Sequence, residues 1–121
     1  MLGAATFART ADGGLLYEEA GLLTLRDGQT LRCTRRYRFV SRGESLVILF
    51  NDGPDAGKPF VELVFADTTP GVLIAADKHF CGRDIYAVEY RLQLPASYET
   101  DVLVAGPNKR YRAVTQYAKA L

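Results

Sequence analysis

The chain has 121 residues, 48% of them hydrophobic, which suits one domain with a core of its own. Its 15 Lys and Arg against 14 Asp and Glu leave a formal net charge of +1, which argues against a dedicated nucleic-acid binder or a protein held on an anionic membrane. No apolar run approaches the ~20 residues that span a bilayer, the first residues lack the basic-then-apolar pattern of a signal peptide, and the two cysteines, Cys33 and Cys81, are too few for a disulfide framework. A cytoplasmic protein with reduced thiols is expected.

Turn signals recur at short intervals: Asp12-Gly13-Gly14, Asp27-Gly28, Arg42-Gly43, the stretch from Asn51 to Lys58, Pro70-Gly71, Pro95 and Gly106-Pro107-Asn108. The segments between them are rich in Val, Ile, Leu, Thr, Tyr and Phe and alternate with period two, the mark of short strands half buried in a sheet. Strands are predicted at 3–9, 14–25, 29–40, 45–51, 59–66, 72–78, 84–94, 98–105 and 109–119. No segment sustains a 3.6-residue period with caps, so low helix content is expected.

The first strong hairpin turns at Arg26-Asp27-Gly28. In strand 29–40 the even positions carry Thr30, Arg32, Thr34, Arg36 and Arg38, which belong outside, so Leu31, Cys33, Arg35, Tyr37 and Phe39 point inward. A three-residue loop with Gly28 left-handed pairs odd positions with odd ones. Leu15, Tyr17, Glu19, Gly21, Leu23 and Leu25 then face inward, with Tyr17 opposite Tyr37, Leu15 opposite Phe39 and Glu19 opposite Arg35. A turn at Arg42-Gly43 sets Leu46, Ile48 and Phe50 against Phe39, Tyr37 and Arg35.

Strand 84–94 divides into Tyr86, Val88, Tyr90, Leu92 and Leu94 within and Ala87, Glu89, Arg91 and Gln93 without. In the last hairpin a two-residue Pro107-Asn108 loop pairs Val104 with Tyr111, Val102 with Ala113, Thr100 with Thr115 and Tyr98 with Tyr117. Antiparallel strands joined by short loops make a meander that removes its edges by closing. The expected architecture is therefore a single all-β domain over residues 1–121, an up-and-down antiparallel barrel of the lipocalin or calycin kind with about 8–10 strands.

Such an interior is more polar than packing alone requires. Glu19 and Arg35, placed opposite each other, offset part of the several kcal/mol that burying each ion costs, and Tyr17, Tyr37, Tyr90, Tyr111 and Tyr117 supply hydroxyls to the same network. The functional reading is a pocket for a small amphipathic or carboxylate-bearing molecule, with Arg35 as anion anchor and His79 among the lining residues. The bland reading is a salt bridge and tyrosines filling a small barrel.

The run His79-Phe80-Cys81-Gly82-Arg83-Asp84-Ile85-Tyr86 offers a second chemistry, a His79 general base oriented by Asp84 in an isomerase or hydrolase. Its plainer reading has Asp84 capping the turn at Gly82 while His79 bonds to backbone. His79 and Cys81 are two ligand types without the spacing of a metal site, so no metal is expected. The stretch from Gly53 to Pro59 falls one residue short of a phosphate-binding loop and puts Pro59 where a hydroxyl is needed. Asn51 to Glu62 puts Ala56 where a calcium loop needs glycine. A third class of function is an interaction domain with a filled interior, dimerising through an exposed strand.

The motifs His79-x-Cys81-Gly82-x-Asp84-x-Tyr86-x-x-x-Tyr90 and Gly106-Pro107-x-Lys109-x-Tyr111, with Tyr117, resemble those of an uncharacterised, mainly bacterial family of small domains with a calycin-like barrel. Tyr17-x-Glu19-x-Gly21 and Arg35-x-Tyr37 are similar to its N-terminal half, so the resemblance spans most of the chain. Tyr98 and Val102 stand where tryptophans would be expected. The resemblance implies the barrel fold and carries no activity.

Overall fold

The computed structural model describes residues 2–93 and 95–119, with backbone alone at Leu2, Asp67 and Thr68, and every regular element in them is a β-strand. The first sheet contains β1 (Leu2–Arg9), β2 (Leu15–Thr24), β3 (Thr30–Arg42), β4 (Ser45–Phe50) and β5 (Pro59–Leu63). The second contains β6 (Ala66–Thr69), β7 (Val72–Cys81), β8 (Asp84–Gln93), β9 (Ser97–Ala105) and β10 (Arg110–Ala118). Each is an antiparallel meander in which spatial neighbours follow chain order. The chain divides after Phe60 into two units. No helix long and apolar enough to cross a membrane occurs among the described residues.

In the first unit the turns decide the faces. Gly28 adopts φ +85°, and the three-residue loop closes through hydrogen bonds from the Leu25 amide to the Gln29 carbonyl at 2.8 Å and from the Gly28 amide to the Leu25 carbonyl at 3.0 Å. Only glycine enters this left-handed region without strain, and the odd-with-odd pairing follows. Tyr17 lies opposite Tyr37, Leu15 opposite Phe39 and Glu19 opposite Arg35, as the sequence predicts.

The next hairpin differs from expectation by a shift of two. Gly43 takes φ +61° as the first central residue of its turn, with Glu44 second, so Arg42 pairs with Ser45. Phe39 therefore meets Ile48 and Tyr37 meets Phe50, rather than Leu46 and Ile48. The parity of the shift is even, so the inward face survives. That face packs Phe7 on Tyr17 (ring centroids 5.0 Å apart), Tyr17 on Phe39 (5.7 Å) and Tyr37 on Phe60 (5.7 Å), beside a fully buried Ile48.

Arg35 does not share that burial, contrary to its expected inward placement. It is exposed, and Leu31 on the same face is 47% exposed. The cause is strand length: β4 pairs only with Tyr37–Arg42, so the half of β3 that carries Arg35 runs beyond the end of β4. On the opposite face Arg36 lies 3.7 Å from Glu18, and Arg38 pairs with Asp12.

The predicted strand 59–66 is two strands. It breaks at Val64 and Phe65, so that β5 joins the first sheet and β6 the second, where β6 turns through Pro70-Gly71 onto β7 with a register shift between Asp67 and Thr69. Strand β7 outruns its predicted end at residue 78 and reaches Cys81, because a two-residue Gly82-Arg83 turn lets Cys81 pair with Asp84. Asp84 is thus a strand residue and not a cap.

Within the second unit the registers put Ala75, Val88, Thr100 and Val104 on one face, all buried. The last hairpin pairs Val104 with Tyr111, Val102 with Ala113, Thr100 with Thr115 and Tyr98 with Tyr117, as expected. Tyr111, however, is 50% exposed, and Leu94, also predicted inward, lies outside the described residues. On the opposite face Arg112 donates to Asp101 from two of its three guanidinium nitrogens, Nε to Oδ1 at 2.9 Å and Nη2 to Oδ2 at 2.6 Å. That hydrogen bonding holds the Asp101 carboxyl below the usual aspartate range.

Two outcomes follow. Ile48→Ala should cost about 3 kcal/mol in urea denaturation, because a filled core site collapses only partly. The Arg112–Asp101 pair stabilises the folded state fully above the usual aspartate value of 3.8 and loses that effect as pH falls through the lower folded value. The stability gap between the wild type and Asp101→Asn, measured across acid pH, should therefore close at the acid end.

Candidate functional site

Alternation along β8 and β10 fixes which polar side chains share the buried-side face of the second sheet. Tyr86 is opposite His79 on β7 and Val104 on β9, and Val104 is opposite Tyr111 on β10. His79, Tyr86, Val104 and Tyr111 thus form a row across four strands. The imidazole of His79 meets the Tyr86 ring edge-on, centroids 6.0 Å apart at 64°.

A second row lies one step nearer the turns. Ile85 pairs with Ala105 and Ala105 with Arg110, so Asp84, Gly106 and Lys109 line up just beyond those pairs. The Gly106 amide donates to the Lys109 carbonyl at 2.8 Å, closing the Pro107-Asn108 turn. Asp84 reaches across the end of β9 to Lys109, Oδ2 to Nζ 3.5 Å. It does so through the space of a missing side chain, since a Cβ on Gly106 would lie 1.8 Å from Asp84 Oδ1. Glycine is needed here for room, not for backbone freedom.

The Lys109 ammonium sits above its usual range, held protonated first by its hydrogen bond to the Tyr86 hydroxyl and then by the Asp84 charge. Its side chain is about half exposed and that of Asp84 much less so. The result is a compact set of donors: a fixed cation, two phenols and an imidazole, gathered from β7, β8, β10 and the last turn. Such a set suits an oxygen-bearing anionic or strongly polar group.

The opposite end of this face is a ladder of tyrosines. Tyr98 and Tyr117 stack with centroids 4.3 Å apart at 7°, and Tyr90 lies parallel to Tyr98 at 6.3 Å. A cleft of about 260 Å³ at this end of the sheet is lined by Tyr98 and Tyr117 but chiefly by residues of the reverse face, among them Arg91, Gln93, Glu99 and Gln116. On the reverse of the sheet a wider groove of about 700 Å³ runs over Ala76, Phe80, Ala87 and Leu103. Phe80 there is 67% exposed.

The eight residues expected to line a site fall into two groups. His79, Tyr90, Tyr111 and Tyr117 do share one face of the second sheet, His79 and Tyr111 at the lysine end and Tyr90 and Tyr117 at the ladder end. Tyr17, Glu19, Arg35 and Tyr37 share one face of β2 and β3 in the first unit. There Glu19 is only 6% exposed and accepts a hydrogen bond from the Tyr17 hydroxyl at 3.2 Å, while Arg35 is exposed. Asp84, expected to orient His79 in an enzyme, lies across from Cys81 and gives its carboxylate to Lys109. Among the described residues no group of three or more His, Cys, Asp and Glu is placed to hold a metal.

Lys109, Tyr86 and Gly106 are the functional candidates that reading the chain for catalytic pairs passes over. The signal was present: Lys109 precedes Tyr111 by two residues, Asp84 precedes Tyr86 by two, and the Pro107-Asn108 turn puts Gly106 between them.

Residues 1–119 match a family of unknown function, DUF6314, and the chain belongs to it. No curated protein and no solved structure matches the chain.

The Gly106 slot makes a direct prediction. Gly106→Ala should cost about 1–2 kcal/mol in thermal or urea unfolding as the new methyl drives out the Asp84 carboxylate. Most of that cost should vanish when the same substitution is made in an Asp84→Ala background, because the two positions compete for one space.

Proposed function

We propose that this member of a family of unknown function binds a small amphipathic molecule with an anionic head group, on the His79–Lys109 face of its second sheet. The observation that carries the reading is the convergence of Lys109, Tyr86, His79 and Tyr111, from separate hairpins, onto one face beside buried Val88, Val104 and Ala75. Polar donors gathered at the edge of an apolar strip are what orient a ligand that buries a hydrocarbon body. Tyr90 is four residues from Tyr86 on β8, roughly 13 Å at about 3.3 Å per residue, a span that a medium-length acyl chain or a fused aromatic body covers. The anion anchor in this reading is Lys109 and no longer Arg35. Tyr17, Glu19, Arg35 and Tyr37 are kept as a second candidate lining.

The same proposal includes the closed, lipocalin-like barrel as a single domain. Its support is that both sheets are chain-order meanders, the arrangement that closure requires. A cytoplasmic setting, supported by Cys33 and Cys81 being free thiols, belongs with it.

Laurate titrated into the protein by calorimetry tests the site. Saturable binding is expected, weakened about tenfold by Lys109→Ala through loss of a charge-assisted contact, and less by Tyr111→Phe. No heat with laurate, or equal binding by Lys109→Ala, would defeat the reading.

A further inference from the structure

The cation that would hold a ligand's head group already has a carboxylate 3.5 Å away. That carboxylate is there by construction. Gly106 gives up its side chain so that Asp84 can lie across the end of β9, and the same turn that places Gly106 also places Lys109. A surface whose task was only to attract negative charge would leave the lysine alone. Lys109 and Asp84 together sum to zero formal charge, and the phenols of Tyr86 and Tyr111 add hydrogen bonds without adding charge.

Building on the anionic-ligand reading above, we propose that Asp84, laid through the Gly106 slot onto Lys109, sets the charge of the ligand: the site takes an amphipathic monocarboxylate and rejects a doubly charged head group such as a phosphate monoester. The physical reason lies in how two energies scale. Attraction to Lys109 and repulsion from Asp84 both grow in proportion to the ligand's charge. The cost of stripping water from an ion grows with the square of its charge, about fourfold from one to two. A lysine offset by a neighbouring carboxylate provides a net attraction small enough to be outweighed for the dianion and sufficient for the monoanion. The hydrogen bonds from Nζ and the two phenols then orient the carboxylate oxygens.

Asp84→Asn removes the charge with little change of shape. Any misplacement of Lys109 that it causes weakens the dianion more than the monoanion and lowers the phosphate-to-laurate ratio, so a rise in that ratio reports the loss of the Asp84 charge. The experiment compares laurate with monododecyl phosphate, which share one hydrocarbon tail, by calorimetry at about pH 8, where a phosphate monoester is a dianion (second pKa about 6). The wild type is expected to bind laurate at least about tenfold more tightly than the phosphate. In Asp84→Asn the phosphate-to-laurate affinity ratio should rise about fivefold or more. It should stay unchanged in Asp101→Asn, whose carboxylate is on the reverse face. Asp84→Ser reads the same ratio if Asp84→Asn does not fold.

A ratio unmoved by Asp84→Asn, or a wild type that prefers the phosphate, overturns the role of Asp84. If laurate binding still weakens in Lys109→Ala, the anionic-ligand reading stands without it. If neither amphiphile binds the wild type, that reading falls and this one with it.

Discussion

In an antiparallel sheet the turn decides which side chains meet, because one residue more or less in a loop turns the whole following strand over. This protein is a series of such turns, and its chemistry depends on each of them. The Arg26-Asp27-Gly28 loop keeps Tyr17, Tyr37 and Phe39 on one face of the first sheet. The two-residue turns at Gly82-Arg83 and Pro107-Asn108 do the same for His79, Tyr86 and Tyr111 in the second. A slip by a single residue at either of these last two would scatter the polar row between two faces.

This dependence explains what could be read from the chain and what could not. Period-two alternation and turn residues are local properties, and they were enough for the all-β class, the pairing of Glu19 with Arg35 and the pairing of Tyr98 with Tyr117. Burial is not local. Whether Arg35 is covered depends on how far β4 extends beside β3, which is set by where β4 ends, a boundary that alternation marks poorly. The Gly43 turn shows a subtler limit. Arg42-Gly43 and Gly43-Glu44 are both acceptable turn pairs, and both keep the inward face, so the face could be read while the partners could not. The run from Pro59 to Ala66 is apolar except for Glu62, and nothing in its pattern marks the break at Val64 where the chain passes from one sheet to the other.

The candidate site was half legible for a related reason. His79 and the tyrosines draw notice by residue type, whereas Lys109 and Gly106 enter only as members of a motif, with no chemical role that their spacing assigns. Their importance appears only once Asp84, from a different hairpin, is seen to occupy the room that Gly106 leaves. It is a contact across three strands, and sequence spacing on any one strand says nothing about it. The face that results has a polar end, a middle of Ala75, Val88 and Val104 interrupted by Asp77, whose carboxylate accepts from the Glu62 and Lys78 amides, and an aromatic far end. Its formal charges at the polar end cancel, so the discrimination it offers would rest on hydrogen-bond geometry and on charge count rather than on overall attraction.

The tyrosine ladder has a consequence for how the molecule can be watched. The chain has no tryptophan and seven tyrosines, so its near-ultraviolet absorption and emission are dominated by phenol rings. Two of them, Tyr98 and Tyr117, lie almost parallel with centroids 4.3 Å apart on facing strands, and Tyr90 continues the stack. Rings held so close and in so fixed an orientation couple their electronic transitions, which lends the native state a circular dichroism band that isolated tyrosines do not have. The band belongs to the pairing of β9 with β10 and disappears when those strands separate. The protein therefore carries an optical marker of its own C-terminal hairpin, with no dye or engineered fluorophore needed to see it.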